Sequence, residues 1–384
     1  MILLFLLIVP TTNALLGRPV HRDVLVANEE MHARTCARSE RLFYHAAASG
    51  GLSNQRDEAD AWLRFSFPQR SGRDDGVRID ERPPPPFGAH DLARASTFTL
   101  ANHAECAAVI GEAESDDAWI LPSRLAHYAS RAGATRPLAE LPKALAWLNA
   151  ALLPSLLPAC RAAFPTALAG ADVALRVRDA RLVKYDAAVG RTALGVHRDG
   201  PLLTAVLALN DEFDGGGTLI EALSGEHGGG GGGGGGGSGG VLRLGRGHVV
   251  LHPGLVRHGG APITRGVRYI LVVFLFDASV VNHGHCCLLR ANADLAAALR
   301  GESAPSADRR RLLARAAHSY CDAIRAGAGD SGEAAHLGLG QALVELGNKH
   351  RPAVVALEAA LVRAPANAHT HAILARARAA ARVA

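Results

Sequence analysis

Four residues in the middle of the chain have types and spacing that can do chemistry: His197 and Asp199, flanking Arg198, then His258, then Arg268. Two imidazoles and one carboxylate can occupy one face of an octahedral metal ion. They leave three positions open, which suits an iron(II) that must bind both a keto acid and O2. His and Asp two residues apart on a strand point to the same face, so they can hold one ion together. Arg268 offers a planar guanidinium that can meet a carboxylate with two parallel hydrogen bonds. A buried Arg needs such a partner, and a bound dicarboxylate would provide it.

Chance has to be weighed, because a chain with 18 His will carry a His-x-Asp triplet by accident. His21-Arg22-Asp23 is such a copy. No strand pattern follows it, and no Arg lies at a suitable distance from a second His. The triplet at His197 stands in different company. Asp172 to Tyr185 (DVALRVRDARLVKY) alternates apolar and polar side chains as a half-buried strand does, and would deliver Tyr185 to a pocket rim. Leu202 to Leu209 (LLTAVLAL) is a nearly continuous apolar run with Thr204 inside it, which suits a strand buried on both faces. Gly215-Gly216-Gly217 closes one strand and Thr218-Leu219-Ile220 opens the next; Val249 to Gly254 reads as strand then Pro-Gly turn. Arg268 to Phe276 (RYILVVFLF) is a β-branched and aromatic run of strand length. Short strands separated by Gly and Pro turns predict a mainly β catalytic core, a double-stranded β-helix of the jelly-roll kind.

With these residues in hand, Tyr185 through Asp277 resembles the catalytic domain of the procollagen lysyl hydroxylase and prolyl 4-hydroxylase superfamily. There the iron ligands come as His-x-Asp and a distant His, with a basic residue ten positions further on. His258 and Arg268 have that offset, and it favours His258 over His252 as third ligand. His252 then reads as a strand-end residue whose ring satisfies backbone groups. The run His258-Gly-Gly-Ala-Pro-Ile-Thr-Arg-Gly-Val-Arg268-Tyr269 is most similar to the lysyl hydroxylase form, as are Leu209-Asn210, the triple-glycine turn and His252-Pro253-Gly254.

The resemblance implies an Fe(II)- and 2-oxoglutarate-dependent dioxygenase that uses O2, hydroxylates prolyl or lysyl residues of a protein substrate, and releases succinate and CO2. It implies His197, Asp199 and His258 as metal ligands and Arg268 on the far carboxylate of 2-oxoglutarate. Tyr185 and Thr204 stand at positions that hydrogen-bond the keto acid in the family, although a Tyr and a Thr in strands are commonly just packing. L-ascorbate would keep the iron reduced. A small-molecule hydroxylase and a non-catalytic helical-repeat adaptor with a degenerate oxygenase domain are the alternatives; the intact four-residue set counts against the adaptor.

Around this core the sequence predicts a modular chain: a signal peptide over 1–14, an N-terminal extension and Pro-rich linker over 15–88, the dioxygenase domain over 89–279, and a helical region over 280–384. The apolar run Met1 to Val9 is too short to span a bilayer and fits the core of a secretory signal, with Thr12-Asn13-Ala14 as cleavage site. A secretory or endoplasmic-reticulum location is the expectation, with another organelle or the cytoplasm as alternatives. Gln69 to Gly88 is charged and ends in four prolines, as a linker does. Thr97 to Glu114 reads as a short strand, a cap at Asn102 and an amphipathic helix; a second helix is expected over roughly Leu138 to Phe164. Gly228 to Gly240 is a low-complexity hairpin tip with no chemistry of its own.

From Ala334, the positions of Leu337, Ala353, Leu357, Ala360 and Pro365 match a tetratricopeptide-like repeat, with an ordinary helical hairpin as the competing reading. The six Cys lack zinc spacing. The charge of +5 comes from scattered Arg rather than a basic stripe with interleaved aromatics, so a nucleic-acid partner is not expected; a protein or peptide partner is what the resemblance implies.

Overall fold

The computed structural model describes residues 22–43, 61–66, 86–121, 132–168, 173–224, 240–300, 306–328, 333–365 and 367–383. The apolar leader, His21, most of the Pro-rich linker and the poly-Gly segment lie outside these residues. The chain divides into two compact units, one of residues 35–279 and one of residues 1–34 with 280–384.

The larger unit is built on antiparallel strands: β1 (Trp62–Phe65), β2 (Ala93–Ser96), β3 (Ala134–Pro137), β4 (Leu175–Asp186), β5 (Leu194–His197), β6 (Leu203–Ala208), β7 (Phe213–Gly215), β8 (Thr218–Ile220), β9 (Val241–Leu242), β10 (Val249–Pro253), β11 (His258–Gly260) and β12 (Ile263–Asp277). One sheet runs β1-β2-β10-β6-β12-β4-β3, with β7 also paired to β12. The other runs β5-β11-β8-β9. The unit combines antiparallel sheets with several helices, so a mainly β description understates its helical part.

Why LLTAVLAL is apolar throughout is explained by the two faces of the larger sheet. Leu203, Ala205 and Leu207 of β6, Val249 and Leu251 of β10, and Leu271, Val273 and Leu275 of β12 join one core with the helices. The alternate residues Val206, Val250 and Ile270, with Val183 and Tyr185 of β4, form a second cluster, against which Leu194 and Leu242 of the smaller sheet pack. Side chains alternate across a strand, so burial on both faces requires apolar residues at nearly every position.

Two expectations need correction here. The short strand expected from Thr97 lies just upstream instead, at β2, paired with β1 and β10. Thr97 to Ala101 is a connection, in which the Leu100 and Ala101 N–H groups are taken by the Gly247 carbonyl at 2.7 and 3.4 Å. The cap at Asn102 does form, as a reciprocal pair with Glu105 ahead of the helix His103–Ala113. The expected single helix over 138–164 is broken into a 3-10 turn (Leu138–Glu140), an α-helix (Pro142–Trp147), a π turn (Leu148–Leu152) and a second α-helix (Leu153–Ala163). Leu153 N–H bonds Leu148 O, five residues back, just before Pro154, which has no N–H to continue the regular ladder. Pro142–Ala163 is long and apolar enough to cross a membrane; Leu148, Leu152, Leu153, Leu156 and Cys160 of it are core residues.

The second unit is helical, with helices His283–Arg300, Ser306–Ala323, Glu333–Leu346, His350–Arg363 and Ala368–Val383. Leu295, Leu313, Tyr320, Leu343, Leu357 and Leu374 fill its core. Of the repeat-pattern positions, Leu337, Ala353, Leu357 and Ala360 are buried there and Pro365 is exposed; any helical hairpin would also bury those four. Asn28, in the helix Arg22–Leu42, donates to the Cys287 sulfur at 3.3 Å and accepts from Arg290 at 3.0 Å. All six cysteines are free thiols.

Candidate metal centre

Cross-strand register brings the two histidines together. β11 pairs β5 with His258 directly opposite His197, and the ring centroids are 4.4 Å apart. Asp199 lies two residues beyond the end of β5, where its N–H donates to Gly254 O at 2.7 Å. Gly254 is required at that contact: a Cβ there would come within 1.9 Å of Pro201 O. The Pro-Gly turn after β10 thus fixes the backbone of the loop that carries the carboxylate.

The side chains then converge. Asp199 Oδ1 lies 3.4 Å from His197 Nε2, and Oδ2 lies 3.3 Å from His258 Nε2. Donor atoms from the three residues all fall within 4.8 Å of one another. Adjacent donors at bond lengths of about 2.1 Å around an octahedral ion would sit about 3 Å apart, so the set fits a small divalent metal.

Each imidazole is oriented by the backbone two residues before it. His197 Nδ1 meets Gly195 O at 2.9 Å, and His258 Nδ1 meets Val256 O at 2.9 Å. A carbonyl can only accept, so Nδ1 carries the proton in both rings and Nε2 presents its lone pair to the centre. Thr204 Oγ1 donates to Asp199 Oδ2 at 2.7 Å. Its one proton is thereby committed to orienting the carboxylate, a different task from the keto-acid contact expected of it. Burial alone would raise the Asp199 carboxyl, but His258 and then His197, in their protonated form with no metal bound, hold it well below the usual range.

His252 stays outside the ligand set. It is fully buried, with its ring 4.0 Å from that of His258. As expected, one ring nitrogen serves the backbone, Nδ1 meeting Pro253 O at 2.9 Å, while Nε2 has no partner. Burial, and next the neighbouring His258, push its pKa down to about 3, so the ring is neutral.

Arg268 begins the inner face of β12, opposite Tyr185 in register, with its guanidinium 5.3 Å from the Tyr185 ring centroid. Tyr185 is 1% exposed and lies in the interior, not at a rim. Its hydroxyl fills the space over Gly260, where an added Cβ would approach it to 2.7 Å. Gly260 follows His258 by two residues on β11, so Tyr185 links the metal-bearing strand to Arg268.

Buried arginines among the described residues divide sharply. Arg94 is held by Asp91, Arg136 by Asp116 and Arg257 by Glu221. Arg268, equally buried, has no acidic partner among the described residues, and its Nη1 has no hydrogen bond. Burial lowers its pKa, Tyr185 opposes this, and Arg243 adds to it. A buried cation without a counter-charge is costly, so the cavity it faces is suited to an anion. That cavity is narrow and lies between the sheets, walled by Val206, Val250, Ile270 and Leu242 and lined by Arg268 and Arg243.

Sequence reasoning missed Arg243; in Val241-Leu242-Arg243-Leu244 a period of two sets Leu242 and Leu244 inward and gives no signal for the Arg between them.

No protein-family profile and no curated protein matches the chain. Solved structures resemble it distantly, the following three among them. An oxidoreductase of the 2OG-Fe(II) oxygenase family from Burkholderia pseudomallei is 16% identical, over 45% of this chain and 77% of that one, at a TM-score of 0.30. HygX from Streptomyces hygroscopicus, with nickel and 2-oxoglutarate bound, is 13% identical over 49% and 83%, at 0.32. A viral collagen prolyl hydroxylase from Paramecium Bursaria Chlorella virus-1, in complex with 2OG, is 11% identical over 48% and 94%, at 0.30.

Proposed function

We propose that this chain is an Fe(II)- and 2-oxoglutarate-dependent oxygenase whose facing sheets form a double-stranded β-helix around the site. The observation that carries this reading is the occurrence of two demands within the larger unit. His197, Asp199 and His258 present donors to a single point, and Arg268 presents a buried, unpaired guanidinium nitrogen. A metal answers the first demand and the far carboxylate of a keto diacid answers the second.

When bound, the iron supplies activation of O2 and oxidation of an unreactive C–H bond, coupled to conversion of 2-oxoglutarate to succinate and CO2. The protein's residues supply placement. The carbonyls of Gly195 and Val256 take the Nδ1 hydrogens of His197 and His258 and so turn Nε2 of each ring toward the metal. Thr204 fixes Asp199. Arg268 anchors the co-substrate, while Val206, Val250 and Ile270 exclude water around its carbon chain.

The substrate class we favour, from the resemblance around His258 to Tyr269, is a prolyl or lysyl side chain of a protein. Incubation with Fe(II), 2-oxoglutarate and ascorbate, with mass spectrometry of Pro- and Lys-containing peptides and of small metabolites, tests it. A peptide gaining one oxygen supports the reading. Oxidation of a metabolite alone would leave the oxygenase reading standing and replace the substrate class. Metal-loaded protein that never forms succinate would sink both.

A further inference from the structure

A second arginine shares the cavity with Arg268, and the proposed chemistry does not yet use it. Arg243 follows β9 at the cavity wall. Its guanidinium carbon lies 5.2 Å from the Phe213 ring centroid, and that of Arg268 lies 6.0 Å from the same ring. Two cations therefore share one aromatic ring. Arg243 Nη2 donates to Phe213 O at 2.6 Å, which fixes the side chain across the cavity. No described carboxylate forms an ion pair with Arg243. Asp214, the acidic residue that feels its charge, is bonded to Arg265 at 2.6 Å.

Two neighbouring guanidiniums, neither neutralised, repel each other unless an anion lies between them. The wall residues are otherwise apolar apart from Thr218, and Ala208 leaves room beside Arg268.

We infer that Arg243 is a second anchor for the far carboxylate of the co-substrate, so that the cavity selects a dianionic keto diacid over a keto monoacid. This rests on reading the cavity as the co-substrate site. Arg268 carries the larger share, because it is buried, whereas Arg243 is exposed on one side and screened by water.

The test is calorimetric titration of the full-length protein loaded with Ni(II), using 2-oxoglutarate and 2-oxobutyrate, which lacks the far carboxylate. Arg243→Gln is expected to weaken 2-oxoglutarate binding about ten-fold, the size of one exposed charge-assisted contact. Binding of 2-oxobutyrate and of Ni(II) should be unchanged, and Arg243→Lys should keep most of the affinity for 2-oxoglutarate. Unchanged 2-oxoglutarate affinity in Arg243→Gln overturns the inference, as does equal weakening of both keto acids, which would mark a structural role. Arg268→Ala separates the two levels. If it too leaves 2-oxoglutarate affinity intact, the reading of the cavity itself fails.

Discussion

Both faces of the larger sheet are buried along β6 and β10, and they differ in what they bury. On the outer face Leu203, Ala205 and Leu207 of β6 meet the helices with no polar atom to satisfy. On the inner face the same strand presents Thr204 beside Asp199, and neighbouring strands present His252 and Arg268, each with a nitrogen lacking a partner. Depth from solvent therefore does not distinguish the functional surface from the structural one. The kind of group left unsatisfied does: at the outer core the unpartnered nitrogens are the Trp119 and Trp147 indoles, whereas on the inner face they belong to the ionisable side chains of His252 and Arg268.

The sharpest way to break this contrast is at the carboxylate. Asp199→Ala should weaken metal binding by more than about a hundred-fold, beyond the effect of losing an outer-shell partner, and reduce succinate formation to background. Metal titration and a succinate assay check it. Near-normal turnover in this variant would remove the inner face's special status.

On the outer face the expected effect falls on stability alone. Leu271, fully buried among the helices, should cost about 2–5 kcal/mol on truncation to Ala. Denaturant unfolding measures this. Metal affinity of the folded variant should match the wild type, and a large loss of affinity would mean the two faces are mechanically coupled.

A smaller effect tests the orienting contact. Thr204→Val keeps the shape and removes the donor to Asp199, so metal affinity should drop about 10- to 100-fold with little change in unfolding midpoint. An affinity equal to wild type would reduce Thr204 to packing.

The smallest effect is a slope. His252 has a folded pKa of about 3, below its unfolded value, so the unfolded chain binds the extra proton first. Stability contributed by the neutral ring is complete above the unfolded pKa near 6.5 and is lost as pH falls toward 3. For metal-free protein, the wild type should lose about 1.4 kcal/mol per pH unit more than His252→Leu across the middle of that window. Parallel stability curves would count against a buried neutral His252.

The strands were legible because their periodicity reports burial directly: DVALRVRDARLVKY and LLTAVLAL differ in pattern as their strands differ in exposure. The gathering of His197, Asp199 and His258 was legible because two of the three lie in one triplet and the third is marked by its spacing to Arg268. Thr204's true partner was not, since a hydroxyl in a strand looks the same whether it faces a ligand or a carboxylate five residues away. The π turn at Leu148–Leu152 escaped for a similar reason. Its apolar residues satisfy any helical winding, and only Pro154 hinted that the ladder would change.

The hydrogen bonds from each ligand imidazole to the carbonyl two residues before it have an evolutionary consequence. Orientation of the rings depends on two short stretches of backbone, Gly195 to His197 within β5 and the bend at Val256 just ahead of β11. Side chains around the centre can therefore be exchanged without turning either ring, as long as those two stretches keep their course.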